Sequence, residues 1–171
     1  MTYDEFVAAR LQPLLRYATM LTGDPHLAAD LVQEVMVRVQ LKWRRVVAVE
    51  VPDLYVRRML TNAYLDLRRT SWWRRNTLWA RPEDAAAVPV TRDHAERSAE
   101  RDEIWTLLLN LPQRQRAAVV LKFYEDLSYE EIAGVLDCAV GTVRSLISRA
   151  LTSLRAMVPV AGHSETMEAR P

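Results

Sequence analysis

The stretch Leu127–Arg155, LSYEEIAGVLDCAVGTVRSLISRALTSLR, decides the fold of its half of the chain. Apolar residues recur at helical spacing on both sides of a break at 137–139, which predicts one helix over 129–136 and another directly after the break. Glu130 and Glu131 lie in the first predicted turn, where a helix N-terminus favours acids. Two helices joined by a tight break form the helix-turn-helix pattern, whose second helix can enter a DNA major groove.

The second of these helices carries small and basic residues on the side opposite its apolar stripe. The outward positions are Thr142, Arg144, Ser145, Ser148, Arg149 and Thr152. Small outward residues allow close approach to a phosphate backbone, whereas a merely solvated helix face usually carries long Glu and Lys side chains. An ordinary helical hairpin with a solvated face is the alternative interpretation.

The composition places the chain in the all-α class. Only 4 of the 171 residues are glycine, half of the residues are apolar, and sustained strand-like alternation is absent. The one cysteine, Cys138, excludes an internal disulfide and a cysteine-rich metal site. No run reaches the ~18 apolar residues that cross a bilayer, and the acidic N-terminus is unlike a secretory signal. We therefore expect a cytoplasmic protein without membrane insertion.

Breaks in the helical periodicity divide the chain into two small helical domains joined by a flexible linker. The first domain covers residues 1–75, and the linker covers the charge-rich stretch 76–98, which contains two prolines. The second domain covers residues 99–157 and ends in the helix-turn-helix. Residues 158–171 are predicted to be a disordered tail.

Turn and capping residues set the expected helix boundaries in the first domain. Gly23 is expected to end the first helix, and Pro13 inside it predicts a kink or a split. Asp24, followed by Pro25, is expected to cap a second helix that runs to about residue 43. Asp53 is expected to cap a later, basic helix that ends near residue 71.

Positive charge is concentrated in residues 42–75, which hold nine Lys and Arg against three acids, although the formal net charge of the chain is only +1. Within the basic helix, Val56 and Leu60 belong to an apolar stripe, while Arg57 and Thr61 are expected on the exposed arc. The candidate nucleic-acid contacts of this block are Lys42, Trp43, Arg44, Arg45, Arg57, Arg58, Asn62, Arg68 and Arg69.

Arginine interleaved with tryptophan is typical of a site for single-stranded nucleic acid. Cationic side chains follow the phosphates, and aromatic faces stack with unpaired bases. The alternative is that the tryptophans complete a small core and that the arginines are merely solvated.

Three motifs, in this order along the chain, resemble those of the extracytoplasmic-function (ECF) sigma factors, the two-domain initiation subunits of bacterial RNA polymerase. DLVQEVM over 30–36 is similar to the family signature D-L-x-Q-E-x-F, with Met36 where phenylalanine is common. YVRRMLTNAYLDLRR over 55–69 is similar to the next helix of the family, with Tyr55 in place of the usual tryptophan. The third motif runs from Leu111-Pro112 through SYEEIAGVL to VGTVRSLISRALTSLR.

The resemblance implies a partner for each polar face. Contact with the β′ clamp helices of core RNA polymerase would use Asp30, Gln33, Glu34 and Arg38. The basic block would hold and open the minus-ten element as single-stranded promoter DNA. The helix-turn-helix would read the duplex minus-35 element through Thr142, Arg144, Ser145, Ser148 and Arg149. Ala139 stands where many relatives carry serine, so a hydroxyl cap is absent at the start of that helix.

The resemblance also implies contact of the second domain with the polymerase β flap. It implies a monomer when the protein is free and, as is common among relatives, control by an anti-sigma factor. It assigns no catalytic activity and no cofactor to the chain.

Two other classes of function stay open. A free-standing transcription regulator would bind duplex DNA through the helix-turn-helix, with the first half as a dimerisation or sensing domain. An enzyme is the weaker alternative, because His26, His94 and His163 lie far apart and no nucleophile–base pairing, phosphate loop or metal-ligand spacing is present. We therefore expect neither a catalytic residue nor a metal or cofactor site.

Overall fold

The computed structural model describes residues 1–77 and 105–157, with only the backbone described for 68–77. The helices in these ranges are α1 (Tyr3–Thr22), α2 (Pro25–Leu41), α3 (Trp43–Val47), α4 (Pro52–Thr77), α5 (Gln113–Val119), α6 (Tyr129–Leu136) and α7 (Val140–Met157). A helical turn at 105–109 precedes α5, and a π-helical turn, Val120–Tyr124, follows it. The described residues contain no strand, and the predicted all-α class is confirmed.

The first two helices are defined by their capping residues. Thr2 and Glu5 form a capping box at the start of α1, and Gly23 ends that helix with a left-handed φ of 75°. The Asp24 carboxylate accepts hydrogen bonds from the backbone N–H groups of His26 and Leu27, at 2.8 and 3.4 Å. The predicted stop at Gly23 and the predicted cap at Asp24 are both confirmed.

Several predicted boundaries in the N-terminal domain are wrong. Of the two outcomes predicted at Pro13, the split does not occur, because apolar residues on both sides of it, among them Phe6 and Leu14, pack into one core, and the kink stays a prediction. Asp53 does not cap α4, which begins one residue earlier; its carboxylate lies in the first turn and binds arginine instead. Helix α2 ends at Leu41, two residues before the expected end near residue 43, and the separate short helix α3 follows it.

Helices α1, α2 and α4 enclose the core of the N-terminal domain. Its fully buried side chains include Phe6, Leu14, Leu21, Val32, Val35, Val39, Val56 and Leu60. The Tyr17 hydroxyl lies 2.7 Å from the Thr61 hydroxyl, which donates a hydrogen bond to the Arg57 carbonyl oxygen. Burial raises the pKa of Tyr17, so its phenol stays neutral and can donate to Thr61 inside the core.

The helix-turn-helix forms within the bounds that the sequence predicts. Ser128 and Glu131 form a capping box at the start of α6, with N–H···O distances of 2.8 and 3.2 Å. Asp137 ends that helix in the left-handed conformation, at φ 51°. The first amide hydrogen bonds of α7 run to the carbonyl oxygen of Ala139. The methyl side chain of Ala139 offers no oxygen to cap the helix.

The two domains pack directly against each other, which the sequence did not indicate. One cluster of buried apolar side chains extends from Phe6 in α1 to Ile147 in α7. The Arg116 guanidinium is buried and donates to the Leu21 carbonyl oxygen of the other domain at 2.7 Å. Arg116 also donates to the Leu109 carbonyl oxygen at 2.5 Å, so it joins the ends of two helical segments.

Helix α4 extends to Thr77, two residues into the predicted linker. The rest of the linker, 78–98, and the predicted tail, 158–171, lie outside the described residues. In 1–77 and 105–157, no helix combines the length and apolar character needed to span a bilayer.

Candidate nucleic-acid interface

One face of α7 presents all five residues predicted to read duplex DNA. Thr142, Arg144, Ser145, Ser148 and Arg149 are exposed. The opposite stripe, formed by Val143, Ile147 and Ala150, is buried against the rest of the C-terminal domain. The predicted division of this helix into an inner and an outer face is confirmed.

The first turn of α7 leaves room for a large partner. A Cβ built on Gly141 would meet no atom within 4 Å, so the helix end borders open space. The Ser145 hydroxyl donates to the Gly141 carbonyl oxygen at 3.0 Å and keeps its lone pairs free to accept further hydrogen bonds. An uncrowded helix N-terminus flanked by arginine suits a phosphate group.

Arg144 lies over the ring of Tyr129, a residue outside the predicted set, and Lys122 lies over the same ring. The Arg144 guanidinium carbon lies 5.3 Å from the centroid of the Tyr129 ring, and Lys122 Nζ lies 5.1 Å from the same centroid. Lys122 also donates to the Leu127 carbonyl oxygen at 3.0 Å. Because these residues come from three different elements, helical periodicity could not have identified the cluster.

The polar face of α2 is also exposed. Asp30, Gln33, Glu34 and Arg38 line one shallow depression together with Val37, and Arg38 pairs with Glu34. Val37 is 51% exposed, and Leu41, one turn further along α2, is 81% exposed. The predicted contact set of α2 does not include these two apolar residues, although their spacing of four places them on one side of the helix.

In the segment between α2 and α4, some of the candidate nucleic-acid contacts lie on the surface and one packs partly into the core. Lys42, Arg44 and Arg45 are exposed. Trp43 is half-buried, with its ring centroid 5.7 Å from that of Tyr3 and 5.5 Å from that of Phe6. Both α1 aromatic rings pack against its indole, which agrees with the alternative in which a tryptophan completes the core, and the DNA contact predicted for Trp43 stays a prediction.

Helix α4 differs most from the sequence-based expectation. Arg58 and Asn62 are exposed as predicted, but Arg57 is only 8% exposed and Thr61 is fully buried. The Arg57 guanidinium pairs with Asp53 and, at 2.5 Å, with Glu125 of the C-terminal domain. The expected exposed arc is wrong at these two positions, because α4 has a second buried side that packs against the other domain.

Arg58 also reaches the C-terminal domain, with its Nη2 3.0 Å from Asp137 Oδ1. The backbone at 68 and 69 continues α4, whereas the side chains of the candidate contacts Arg68 and Arg69 lie outside the described part of the chain.

Comparisons with known proteins agree with this arrangement of two domains. Residues 6–74 match sigma-70 region 2, and residues 101–154 match sigma-70 region 4. The RNA polymerase sigma-E factor of Streptomyces avermitilis is 36% identical over 153 residues, which cover 90% of this chain and 83% of that protein. The chain belongs to the ECF family of RNA polymerase sigma factors.

A second relative of this sigma factor is the ECF RNA polymerase sigma factor SigE of Mycolicibacterium smegmatis. It is 36% identical over 160 residues, which cover 90% of this chain and 60% of SigE. The family consists of transcription initiation factors, so the matches favour a sigma factor over a free-standing regulator or an enzyme.

Solved structures show the same fold at low sequence identity. The sigma factor RpoE of Bartonella quintana, solved in complex with the anti-sigma factor NepR, superposes with a TM-score of 0.78 at 22% identity, covering 94% of this chain and 98% of that one. CnrH, solved in complex with the cytosolic domain of CnrY, gives a TM-score of 0.62 at 20% identity, covering 94% and 89%.

Proposed function

We propose that this sigma factor directs core RNA polymerase to specific promoters and helps to open the minus-ten element. The observation that carries the proposal is the outer face of α7, on which all five predicted DNA contacts are exposed within one helix-turn-helix. A sigma factor needs such a face to choose an upstream element, together with a second basic surface for the separated strand.

The minus-35 element is read by the outer face of α7 in this proposal. Arg144 and Arg149 carry guanidinium groups suited to phosphate or to bidentate contact with guanine. Thr142, Ser145 and Ser148 supply small hydroxyls that let the helix lie deep in the major groove. The stacking of Arg144 on Tyr129 orders its side chain before DNA binds, which reduces the entropic cost of recognition.

The minus-ten strand is held by the exposed members of the basic block. Lys42 directly precedes α3, Arg44 and Arg45 lie on it, and Arg58 and Asn62 lie on α4. Trp43 acts in this proposal by anchoring α3 to α1 rather than by stacking on a base. Arg68 and Arg69 are assigned to the same strand by their place in α4.

Core polymerase is bound by the α2 face. Asp30, Gln33, Glu34 and Arg38 offer paired charges to the β′ clamp helices, and the exposed Val37 and Leu41 add apolar area. The β flap is assigned to the C-terminal domain, whose exposed Phe123 and Tyr124 offer an aromatic surface. By analogy with the sigma factor RpoE, which was solved in complex with the anti-sigma factor NepR, an anti-sigma factor holds the protein inactive.

The test is promoter-specific run-off transcription with the purified protein and core polymerase. Templates come from chromatin immunoprecipitation sequencing with mapping of transcription start sites, which yields both promoter elements. We expect a defined transcript only when both components are present. Failure to bind core polymerase, or transcription that ignores the promoter, would refute the proposal. A specific shift of duplex DNA by the protein alone, as a dimer on paired half-sites, would favour a free-standing regulator instead.

A further inference from the structure

The π-helical turn after α5 folds the chain back on itself just before α6. The Leu127 N–H donates to the Leu121 carbonyl oxygen at 3.1 Å, which closes the loop between the two helices. Turns of this wide kind are rare and often occur at functional sites. Here the turn brings the side chain of Lys122 to the segment that leads into α6.

Lys122 fastens the π-helical turn to the start of α6. Its Nζ donates to the Leu127 carbonyl oxygen at 3.0 Å and lies 5.1 Å from the centroid of the Tyr129 ring. Tyr129 is the first residue of α6, and the capping box of Ser128 and Glu131 holds the backbone on both sides of it. The backbone and the ring of Tyr129 are therefore both restrained by contacts made before α7 begins.

Arg144 of α7 contacts the same ring. Its guanidinium carbon lies 5.3 Å from the Tyr129 centroid, and its side chain is exposed. The electron-rich face of an aromatic ring attracts a guanidinium group, on which the planar cation can stack. A contact of this kind restrains the side chain without using its N–H groups as hydrogen-bond donors, so these groups stay available to a base edge.

Arg149 provides the contrast on the same face of α7. It is exposed as well, but among the described residues no aromatic ring lies against its guanidinium. Its side chain can therefore adopt many rotamers, whereas that of Arg144 is held near one ring. The two arginines of one recognition helix differ in how far they are ordered before DNA binds.

This difference matters because arginine contacts DNA in two ways. A phosphate contact holds the protein on the duplex but carries no direct sequence information, whereas a bidentate contact with guanine O6 and N7 specifies the base. The bidentate contact requires one orientation of the guanidinium plane, and a phosphate accepts many orientations. A ring that restrains the arginine therefore favours base readout over contact with a nearby phosphate.

We propose that Tyr129 and Lys122 are positioning residues that determine base specificity in the minus-35 element. Tyr129 presents the Arg144 guanidinium to a guanine, and Lys122 holds the Tyr129 ring in place through its bond to Leu127. This inference rests on the proposed function of α7 and extends it to two residues outside the predicted contact set. Because both act through Arg144, they affect discrimination between base pairs and not overall affinity for DNA.

The test measures binding of the protein, assembled with core polymerase, to the mapped promoter and to templates in which each minus-35 base pair is changed in turn. Arg144→Ala first identifies the base pair that Arg144 reads, as the position where discrimination is lost. We expect Tyr129→Leu, which removes the aromatic face and keeps apolar bulk, to reduce discrimination about fivefold at that position. Affinity for DNA without a promoter should stay within about twofold of wild type.

Arg149 supplies the matched control. Discrimination at every other base pair, including any that responds to Arg149→Ala, should be unchanged in Tyr129→Leu. Tyr129→Phe retains the ring and should recover the discrimination that Tyr129→Leu loses. Added to Arg144→Ala, Tyr129→Leu should cause no further loss, because the ring acts only through that arginine.

A second pair of variants tests Lys122. Lys122→Met removes the donor to the Leu127 carbonyl oxygen and keeps a flexible apolar side chain. We expect discrimination at the same base pair to fall about threefold and to recover in Lys122→Arg, which can still donate and stack. Discrimination is a ratio of affinities, so the general effect of losing one positive charge cancels. Circular dichroism verifies folding, and the Lys122 pair decides the question should Tyr129→Leu not fold.

Equal loss of discrimination at every base pair would overturn the proposal, because Tyr129 would then only support the fold. Full discrimination in Tyr129→Leu, or in Arg144→Ala at every position, would also overturn it. Promoter-specific run-off transcription by the wild-type protein is independent of these outcomes, so the proposed function can stand where this inference fails. Absence of that transcription would instead refute the proposed function itself.

Discussion

Helices α4 and α7 are both amphipathic and both carry arginine, yet their polar sides differ in solvent exposure. On α7 the whole predicted outer face is exposed, whereas on α4 Arg57 and Thr61 are buried. A helical wheel correctly assigns the polar side when a helix has one buried face. It fails for α4, because that helix packs against its own domain on one side and against the other domain on a second.

The largest effect is expected from removing Arg57. Arg57→Ala leaves Glu125 and Asp53 without their mostly buried cation, so we expect a loss of about 3–5 kcal/mol in the free energy of unfolding. Urea denaturation followed by circular dichroism measures this. The matched change Arg58→Ala should cost less than ~1 kcal/mol, because its pair with Asp137 is largely exposed. Similar costs for the two variants would mean that α4 has no second buried side.

Arg149→Ala on α7 is expected to act on DNA and not on stability. The side chain is exposed, so the unfolding free energy should stay within ~0.5 kcal/mol of wild type. Loss of one arginine contact to a base should weaken promoter binding by the polymerase complex by about 1–3 kcal/mol. Gel shifts on the mapped promoter measure this. A stability loss like that of Arg57→Ala would contradict the distinction between the two helices.

A smaller effect is expected at the start of α6, the helix that contacts α4. Ser128→Ala removes the capping oxygen that accepts from the Glu131 N–H and should cost about 1 kcal/mol.

The hydrogen bond from the Ser128 backbone N–H lowers the pKa of Glu131, so this carboxylate stabilises the fold above its unfolded-state pKa. The contribution disappears as pH falls through the lowered value. Thermal denaturation from neutral to acidic pH should therefore show a smaller acid-induced loss for Glu131→Gln than for wild type.

The smallest expected effect is a gain in the stability of the C-terminal domain. Ala139→Ser supplies a side-chain oxygen at the start of α7, where Ala139 provides only its carbonyl, and should stabilise the C-terminal domain by about 0.5–1 kcal/mol. Thermal denaturation measures the gain, and Ala139→Gly, which also lacks an oxygen, serves as the control. A stabilisation by glycine equal to that by serine would show that the hydroxyl does not cap the helix.

Local features of the fold were predictable because neighbouring residues determine them. The stop at Gly23, the cap at Asp24 and the break at 137–139 each depend on backbone conformation and hydrogen bonds within a few residues. The outer face of α7 was also predictable, because its inner stripe follows one clear period. Asp53 was misassigned because a capping residue and an ion-pair partner look the same in sequence, and only the approach of Arg10 and Arg57 distinguishes them.

The sequence by itself determined an all-α chain with a helix-turn-helix and a basic block, since periodicity, capping and charge are properties of adjacent residues. Only the tertiary structure decided which of these basic residues stay exposed and can contact nucleic acid. It placed Trp43 against Tyr3 and Phe6, and it paired Arg57 with Glu125, which lies 68 positions away in the chain. The physical reason is that burial and ion pairing depend on approach through space between segments whose separation along the chain carries no local pattern.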